Sequence, residues 1–355
     1  MSQRVRHRVL GIGLVGVVFL ATSVSGTAEQ QPLEEYQKQE LQSLVAAVRG
    51  AVLGTTQATE KPLTINYDFL KGSEGNTYAP FTMVFDASTF QTPSVGMYIF
   101  VTKHVDPAAA PAAPAAEQPD QAAPAAPEPP PAAFEDAYFV DLSDQQGRPQ
   151  IRISRAFSAP GGEYDLYLAL RNSSAEPAAD GAPPPTIVMQ KEQVTIPDLW
   201  SPALATSSVI LAESVEALSA PLTPEQQVAN PYTLGTTRIV PKATPQFGKA
   251  EEMQMIFLVY NPGLKEGKPD VTVEYSFYQS LEGKEEYFNK TSPQEFNAQT
   301  LPPEFDVAAG HQIVAGQSIP LRLFPEGRFR VEIKITDNVA GSSVTQNVNF
   351  SVLPA

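Results

Sequence analysis

One pattern, written twice, constrains this chain more than anything else in it. Pro160-Gly161-Gly162-Glu163-Tyr164-Asp165-Leu166-Tyr167-Leu168-Ala169-Leu170 recurs as Pro325-Glu326-Gly327-Arg328-Phe329-Arg330-Val331-Glu332-Ile333-Lys334-Ile335. Each copy is a Pro-x-Gly turn, an aromatic, and then apolar/polar alternation. Period two belongs to a strand with one face buried and one in water. Two copies 165 positions apart, from 160 to 325, predict two domains of one kind, each finishing in the same hairpin.

The rest of the chain agrees with that period. Strands are predicted at 63–67, 81–85, 96–101, 137–142, 150–155, 164–170 and 187–196, with turn-forming residues between them. A second set falls at 208–212, 253–260, 271–278, 286–289, 317–324, 328–336 and 344–353. Met97-Tyr98-Ile99-Phe100-Val101 and Met255-Ile256-Phe257-Leu258-Val259 look like a second correspondence between the halves. Many short strands and frequent turns mean antiparallel sheets rather than a parallel α/β fold. One helix is predicted over 33–53: Leu33, Tyr36, Leu41, Leu44, Val45, Val48 and Val52 follow helical spacing, and Gly54 stops it. It either packs on the first domain or stands free as a partner-binding stalk.

Residues 107–133 interrupt the first domain with nine prolines and thirteen alanines, filling 22 of 27 positions. Such a segment has few donors and nothing to bury, so it is expected to be an extended, solvated excursion. A second Pro/Ala-rich loop covers 175–185. The expected organisation is a signal peptide (1–28), helix and linker (29–61), first domain (62–198), junction (199–207) and second domain (208–355). Trp200, the only tryptophan, sits in that junction as an interdomain plug or a ligand platform.

The second copy of the motif, continued by Thr336-Asp337, Gly341 and the strand at 344–352, resembles the last two strands of bacterial immunoglobulin-like or fibronectin type III-like domains. These are the sandwiches of uncharacterised secreted proteins that accompany von Willebrand factor A-like or GWxTD-type regions. No GWxTD sequence and no metal-dependent adhesion motif occurs here, so the resemblance is to the sandwich alone. It implies an all-β fold of two tandem antiparallel immunoglobulin-like β-sandwiches. It also implies that the aromatic after the glycine takes the tyrosine-corner place. Tyr164 keeps the hydroxyl for the corner hydrogen bond, and Phe329 keeps only the packing.

Destination is read from the N-terminus. Arg4, Arg6 and Arg8 precede an apolar run at 9–21, and small residues follow up to Ala28, the order of a secretory signal peptide. The alternative is an uncleaved anchor, but a run of about 13 residues is short of the ~20 that span a bilayer. An exported protein, periplasmic or extracellular, is therefore expected, with no membrane attachment after cleavage. Cysteine is absent, which excludes disulfides and thiolate metal sites and leaves stability to apolar cores. Removing three arginines with the signal takes the formal charge from −15 to −18, a surface that repels nucleic acid and anionic lipid.

No catalytic set is legible. Gly-x-Ser-x-Gly, His-Glu-x-x-His and Gly-x-x-x-x-Gly-Lys are all absent, and beyond the signal only His104 and His311 remain, both expected in exposed loops without a role. Asp141 and Asp144 with Gly147, or Asp337 with Asn338, could offer oxygens to calcium, although Asp and Asn form turns unaided. Tyr278 and Tyr287, with Trp200, are the candidate binding residues. The expectation is a non-enzymatic binding or structural protein without cofactor or metal, recognising a protein partner through loops or an edge strand. The rival is a carbohydrate-binding or enzyme-accessory module, for which Tyr278 would be a platform ring.

Overall fold

A computed structural model describes residues 33–57, 59, 63–90, 92–105, 129–174, 185–281 and 283–354. The expected signal peptide, positions 107–128 of the Pro/Ala segment and residues 175–184 lie outside the described residues. Helix α1 (Glu35–Val52) begins in a capping box, in which Gln37 Oε1 accepts the Glu34 N–H at 2.9 Å. It stops at Gly54, whose φ of 72° ends the helix as expected.

Two facing sheets form the first sandwich. One has β3 (Thr77–Asp86) at its centre, with β1 (Thr64–Tyr67) and β2 (Leu70–Lys71) along one side and β6 (Gln150–Ala159) along the other. The second runs in the order β5-β4-β7-β8: β4 (Ser94–Lys103), β5 (Ala132–Asp141), β7 (Gly162–Ser173) and β8 (Ile187–Ile196). Alternation supplies the core, with Phe81, Met83 and Phe85 meeting Val95, Met97, Ile99, Leu166, Leu168 and Leu170.

The second sandwich repeats the plan. Its first sheet joins β9 (Ala205–Thr206), β10 (Ile210–Ala217), β11 (Thr233–Leu234), β12 (Thr237–Pro241), β14 (Glu252–Tyr260) and β20 (Ile313–Pro320). The short α2 (Pro224–Ala229) precedes β11. The facing sheet joins β13 (Gln246–Gly248), β17 (Val271–Leu281), β18 (Lys284–Lys290), β19 (Gln294–Phe296), β21 (Gly327–Asp337) and β22 (Ser342–Leu353). A ribbon of β15 (Leu264–Lys265) and β16 (Lys268–Pro269) stands apart, and β13 alone pairs in parallel, with β22. The order β18-β17-β21-β22 matches β5-β4-β7-β8, and β10-β14-β20 matches β1-β3-β6. The duplication read from the motif is thus a duplication of topology.

Several expectations need correction. The Pro-x-Gly turn is where the chain crosses between sheets, from β6 to β7 and from β20 to β21; the hairpin follows it. Gly162 (φ 151°) and Gly327 (φ 131°) make that crossing in a conformation that side-chain-bearing residues rarely adopt. The likeness of 97–101 to 255–259 is not a structural equivalence, because β4 corresponds to β17 while β14 corresponds to β3. Both segments are continuous apolar runs because both strands are covered on both faces. Strand β20 stops at Pro320 and Leu321–Leu323 form one 3₁₀ turn, where a strand was expected through 324. The Pro/Ala segment ends early: Ala132 and Ala133 open β5, and the Pro131 carbonyl accepts Thr102 Oγ1 at 3.1 Å.

Tyr164 and Phe329 occupy matching places, both fully buried at the start of β7 and β21. Phe329 packs among Phe324, Phe350 and Phe288, with ring centroids 5.2–5.5 Å away. The Tyr164 hydroxyl, expected to make a corner hydrogen bond, is buried without a partner among the described residues. Its ring packs beneath Lys103 Nζ at 5.3 Å.

Stacking continues outward. Leu44 and Val48 of α1 cover Tyr98, Phe100, Tyr167 and Met189 on the outer face of β4, β7 and β8. Glu40 holds the helix there, accepting Ser173 Oγ at 2.6 Å. Between the sandwiches, Leu70, Phe69 and Tyr78 pack on Ile210, Leu234, Ile239, Ile256, Leu258 and Tyr260. The seam is also hydrogen-bonded: Ser208 N–H donates to Phe69 O and Phe69 N–H to Ser208 Oγ, each at 2.9 Å, and Lys71 N–H donates to Tyr260 Oη at 3.1 Å. Among the described residues, α1 and the four large sheets lie in one stack.

Two outcomes follow. Tyr164→Phe removes an oxygen that earns nothing in the fold, so stability is expected to stay level or rise by up to about 1 kcal/mol in chemical denaturation; a clear loss would restore the corner bond. Replacing 107–128 by a short Gly linker is expected to leave Tm nearly unchanged. Extending the deletion through 133 cuts into β5 and is expected to lower Tm by about 2–4 °C for each kcal/mol lost, measured by scanning calorimetry.

Candidate functional site

Among the described residues each apolar sheet face in this stack has a cover, while the outer face of β18-β17-β21-β22 is polar and faces water. Alternation places Glu274, Ser276 and Tyr278 of β17 on it, beside Arg330, Glu332 and Lys334 of β21 and Asn347 of β22. Tyr287 on β18 is directly opposite Tyr278 and is 58% exposed. Cross-strand pairing therefore brings the two predicted tyrosines together, through a β-bulge between Phe277 and Tyr278.

Their geometry is set by Arg330. The two rings lie edge to face, with centroids 5.9 Å apart and planes at 80°, and the Arg330 guanidinium lies 4.5 Å from the Tyr278 centroid. Arg330 also reaches both Glu285 oxygens from Nε at 2.9 and 3.0 Å, Glu332 at 3.0 Å and Asn347 Oδ1. These carboxylates hold its pKa above the ordinary guanidinium value, and the same bond pulls Glu285 below its own. Sequence reasoning missed Arg330 as a site residue. Its position in the second motif copy, two before Glu332, was the available signal. A flat stacking platform is not what the pair presents, because one ring is turned and the other is capped by a cation.

Trp200 lies elsewhere, at the seam. Its indole N–H donates to Asn76 O at 2.8 Å, Lys71 Nζ lies 4.6 Å from its ring centroid, and 41% of the residue stays exposed. The three predicted binding residues do not converge on one site.

The remaining chemistry-bearing residues are tied into the scaffold. His104 corrects an expectation: it is no free loop residue, because Nδ1 lies 2.9 Å from Asp165 Oδ1, and Lys191 Nζ holds the other Asp165 oxygen at 3.1 Å. His311 Nδ1 accepts the Asp306 N–H at 3.0 Å. Asp141 Oδ1 accepts Ser143 N–H and Oγ at 2.8 and 2.5 Å, which lowers its pKa. Buried Asp337 accepts Gly263, Val339 and Ala340 N–H at 2.6, 2.9 and 3.0 Å, while Asn338 donates to Asp270 and Thr272. Among the described residues no three or more His, Cys, Asp or Glu side chains gather as a metal site would need. An open cleft of about 250 Å³ at the end of the first sandwich is lined by Phe90, Leu142, Gln145 and Ile151, with no acid or base in its wall.

Comparison with known proteins adds little. No protein-family model matches the chain, and no curated protein matches it. Among solved structures it is similar to trypsin-activated α2-macroglobulin from Escherichia coli, at 10% identity and a TM-score of 0.21 over 83% of this chain and 17% of that one. It is also similar to red sea bream transglutaminase (7%, 0.20, covering 86% and 33%) and to Bacteroides uniformis β-glucuronidase (6%, 0.23, covering 82% and 32%). The chain spans a third or less of each, and at these TM-scores none bears on its role. Among the described residues no helix is long and apolar enough to cross a membrane.

The Arg330–Glu285 bond carries a pH signature. Glu285 is depressed below 4.5, so its contribution to holding β18 is present above about pH 4.5 and lost as pH falls through the folded value. Amide exchange in β18, corrected for its intrinsic rate, is expected to rise as pH drops from 5 to 3. Arg330→Ala is expected to show the faster exchange already at pH 6, with β7 unchanged in both.

Proposed function

We propose that this chain is an exported, non-enzymatic binding protein of the cell envelope or extracellular space, whose two immunoglobulin-like sandwiches hold a recognition edge for a protein partner. The matched sheet orders, in which three equivalent strands face four equivalent strands in each half, support the immunoglobulin-like reading.

The observation that carries the binding reading is the state of the sheet edges. Gln145 occupies the edge of β6, accepting Arg152 N–H at 2.8 Å and donating to Arg152 O at 2.9 Å. Thr59 does the same for β8 at Met189, and Gln294 Nε2 covers the Gly316 carbonyl of β20 at 2.7 Å. On β5 the Asp136 carboxylate accepts the Ala137 N–H at 2.7 Å. Among the described residues, nothing is bonded to the outer backbone edge of β18 between Lys284 and Phe288, nor to that of β22 between Ser342 and Phe350, since β13 covers only Ser351–Leu353. Unpaired backbone groups on a long edge are a template for strand addition. Lys284 and Lys290 at the two ends, on an acidic protein, disfavour pairing with a second copy and suit a partner strand bearing carboxylates.

A photo-crosslinking residue at position 287, in cells producing the full chain, is expected to capture a polypeptide that the same probe at exposed Val228 on α2 does not. Equal yields at both positions would remove the edge reading. Saturable binding on a glycan array that is lost in Tyr278→Ala would replace it with the carbohydrate-binding one.

A further inference from the structure

Strand β22 ends its sheet without the devices that keep an edge from pairing. Its sequence, Ser342-Ser343-Val344-Thr345-Gln346-Asn347-Val348-Asn349-Phe350-Ser351-Val352-Leu353, holds no charge, proline or glycine, on a chain of net charge −15. Other long edges are guarded: β5, β6, β8 and β18 carry charged residues, and β20 ends on Pro320. β13 covers β22 only at Ser351–Leu353.

Period two tells which groups are left open. The Ser351 N–H points away from β21, to Pro245 O at 2.9 Å. The N–H and C=O groups of Asn349, Asn347, Thr345 and Ser343 therefore point the same way, and among the described residues nothing is bonded to them. The alternate side chains Val344, Gln346, Val348 and Phe350 face the core, opposite Ile335, Ile333, Val331 and Phe329. Those four partners are buried, whereas Val344 and Val348 are only half-buried at the rim of the sandwich.

We propose that β22 pairs with β22 of a second copy of this chain, antiparallel about a twofold axis through Gln346, joining two β18-β17-β21-β22 sheets into one. In this register Asn349 meets Ser343 of the other copy and Asn347 meets Thr345. Each such pair exchanges both backbone bonds, so no open group is left over. Val344 falls opposite Val348 and closes the rim of both cores. Ser351, which β13 covers, falls opposite the Gly341 turn, so β13 of each copy begins where the other strand stops. Charge selects the same register. Glu332 is the β21 neighbour of Asn347 and Lys334 that of Thr345, so the rows crossing the joint set an acid on one copy against a base on the other. A slip of two residues aligns Glu332 with Glu332, or Lys334 with Lys334, and leaves backbone groups unpaired. A second copy is the occupant because an uncharged strand is where two acidic chains can meet without bringing like charges into contact. The charged edge of β18 stays free in this dimer.

Sedimentation equilibrium of the full chain is expected to give twice the chain mass in the micromolar range. Gln346→Lys sets two like charges face to face on the axis and is expected to halve that mass, with the far-ultraviolet circular dichroism unchanged. The chain has no cysteine, so single cysteines read the register directly. Gln346→Cys is expected to form a disulfide-linked dimer on mild oxidation, because Cα atoms in a directly opposite, non-hydrogen-bonded pair lie about 4.5 Å apart. Asn347→Cys is expected to stay unlinked by itself, its two copies being offset by two residues and beyond the ~7 Å that a disulfide spans. Mixed with Thr345→Cys, it is expected to link. An unmodified chain that stays monomeric, a dimer that survives Gln346→Lys, or a Gln346→Cys thiol that links to a different polypeptide rather than to its own copy would each overturn the pairing.

Discussion

A β-sheet has two faces, and a chain with no covalent staples must bury every apolar one against something. That requirement organises the molecule. The two sheets of each sandwich bury one another, but β3-β6 and β10-β14-β20 also carry apolar residues outward, and so do β4 and β7. The first two outer faces meet at the seam, where Leu70 and Phe69 pack on Ile256 and Leu258. The third is closed by Leu44 and Val48 of α1. Burying a Leu, Val or Phe side chain stabilises by about 1.5–3 kcal/mol, so each of these contacts matters to a fold without disulfides.

Seen this way, the two halves differ in role although they share a topology. The first sandwich is covered on both outer faces and has its edges blocked by Gln145, Thr59 and Asp136. Among the described residues, the second has one polar outer face in water and the long edges of β22 and β18 unblocked. Arg330 keeps the latter edge in place by stacking on Tyr278 while holding Glu285, so it positions β18 from the neighbouring strand. Within the stack, this polar face lies on the sheet farthest from α1.

The candidate site was half legible. Tyr278 and Tyr287 were picked as aromatics outside the core alternation, and cross-strand register places them opposite each other. Their mutual angle, and the cation over one ring, depend on a bulge and on a third strand some fifty positions away, and no local pattern carries that. His104 shows the same limit: its partner Asp165 is on β7, brought close only by the β4–β7 register.

By itself the sequence determined the local geometry: period-two strands, the helix with its glycine stop, and the twice-written turn, because backbone sterics and alternation act over a few residues. Tertiary structure decided which runs correspond, as in the false match of 97–101 with 255–259, and which edge stays open. Continuous apolar sequence records only that both faces of a strand are covered. What covers them is decided by segments far away in the chain, through packing that no short stretch encodes.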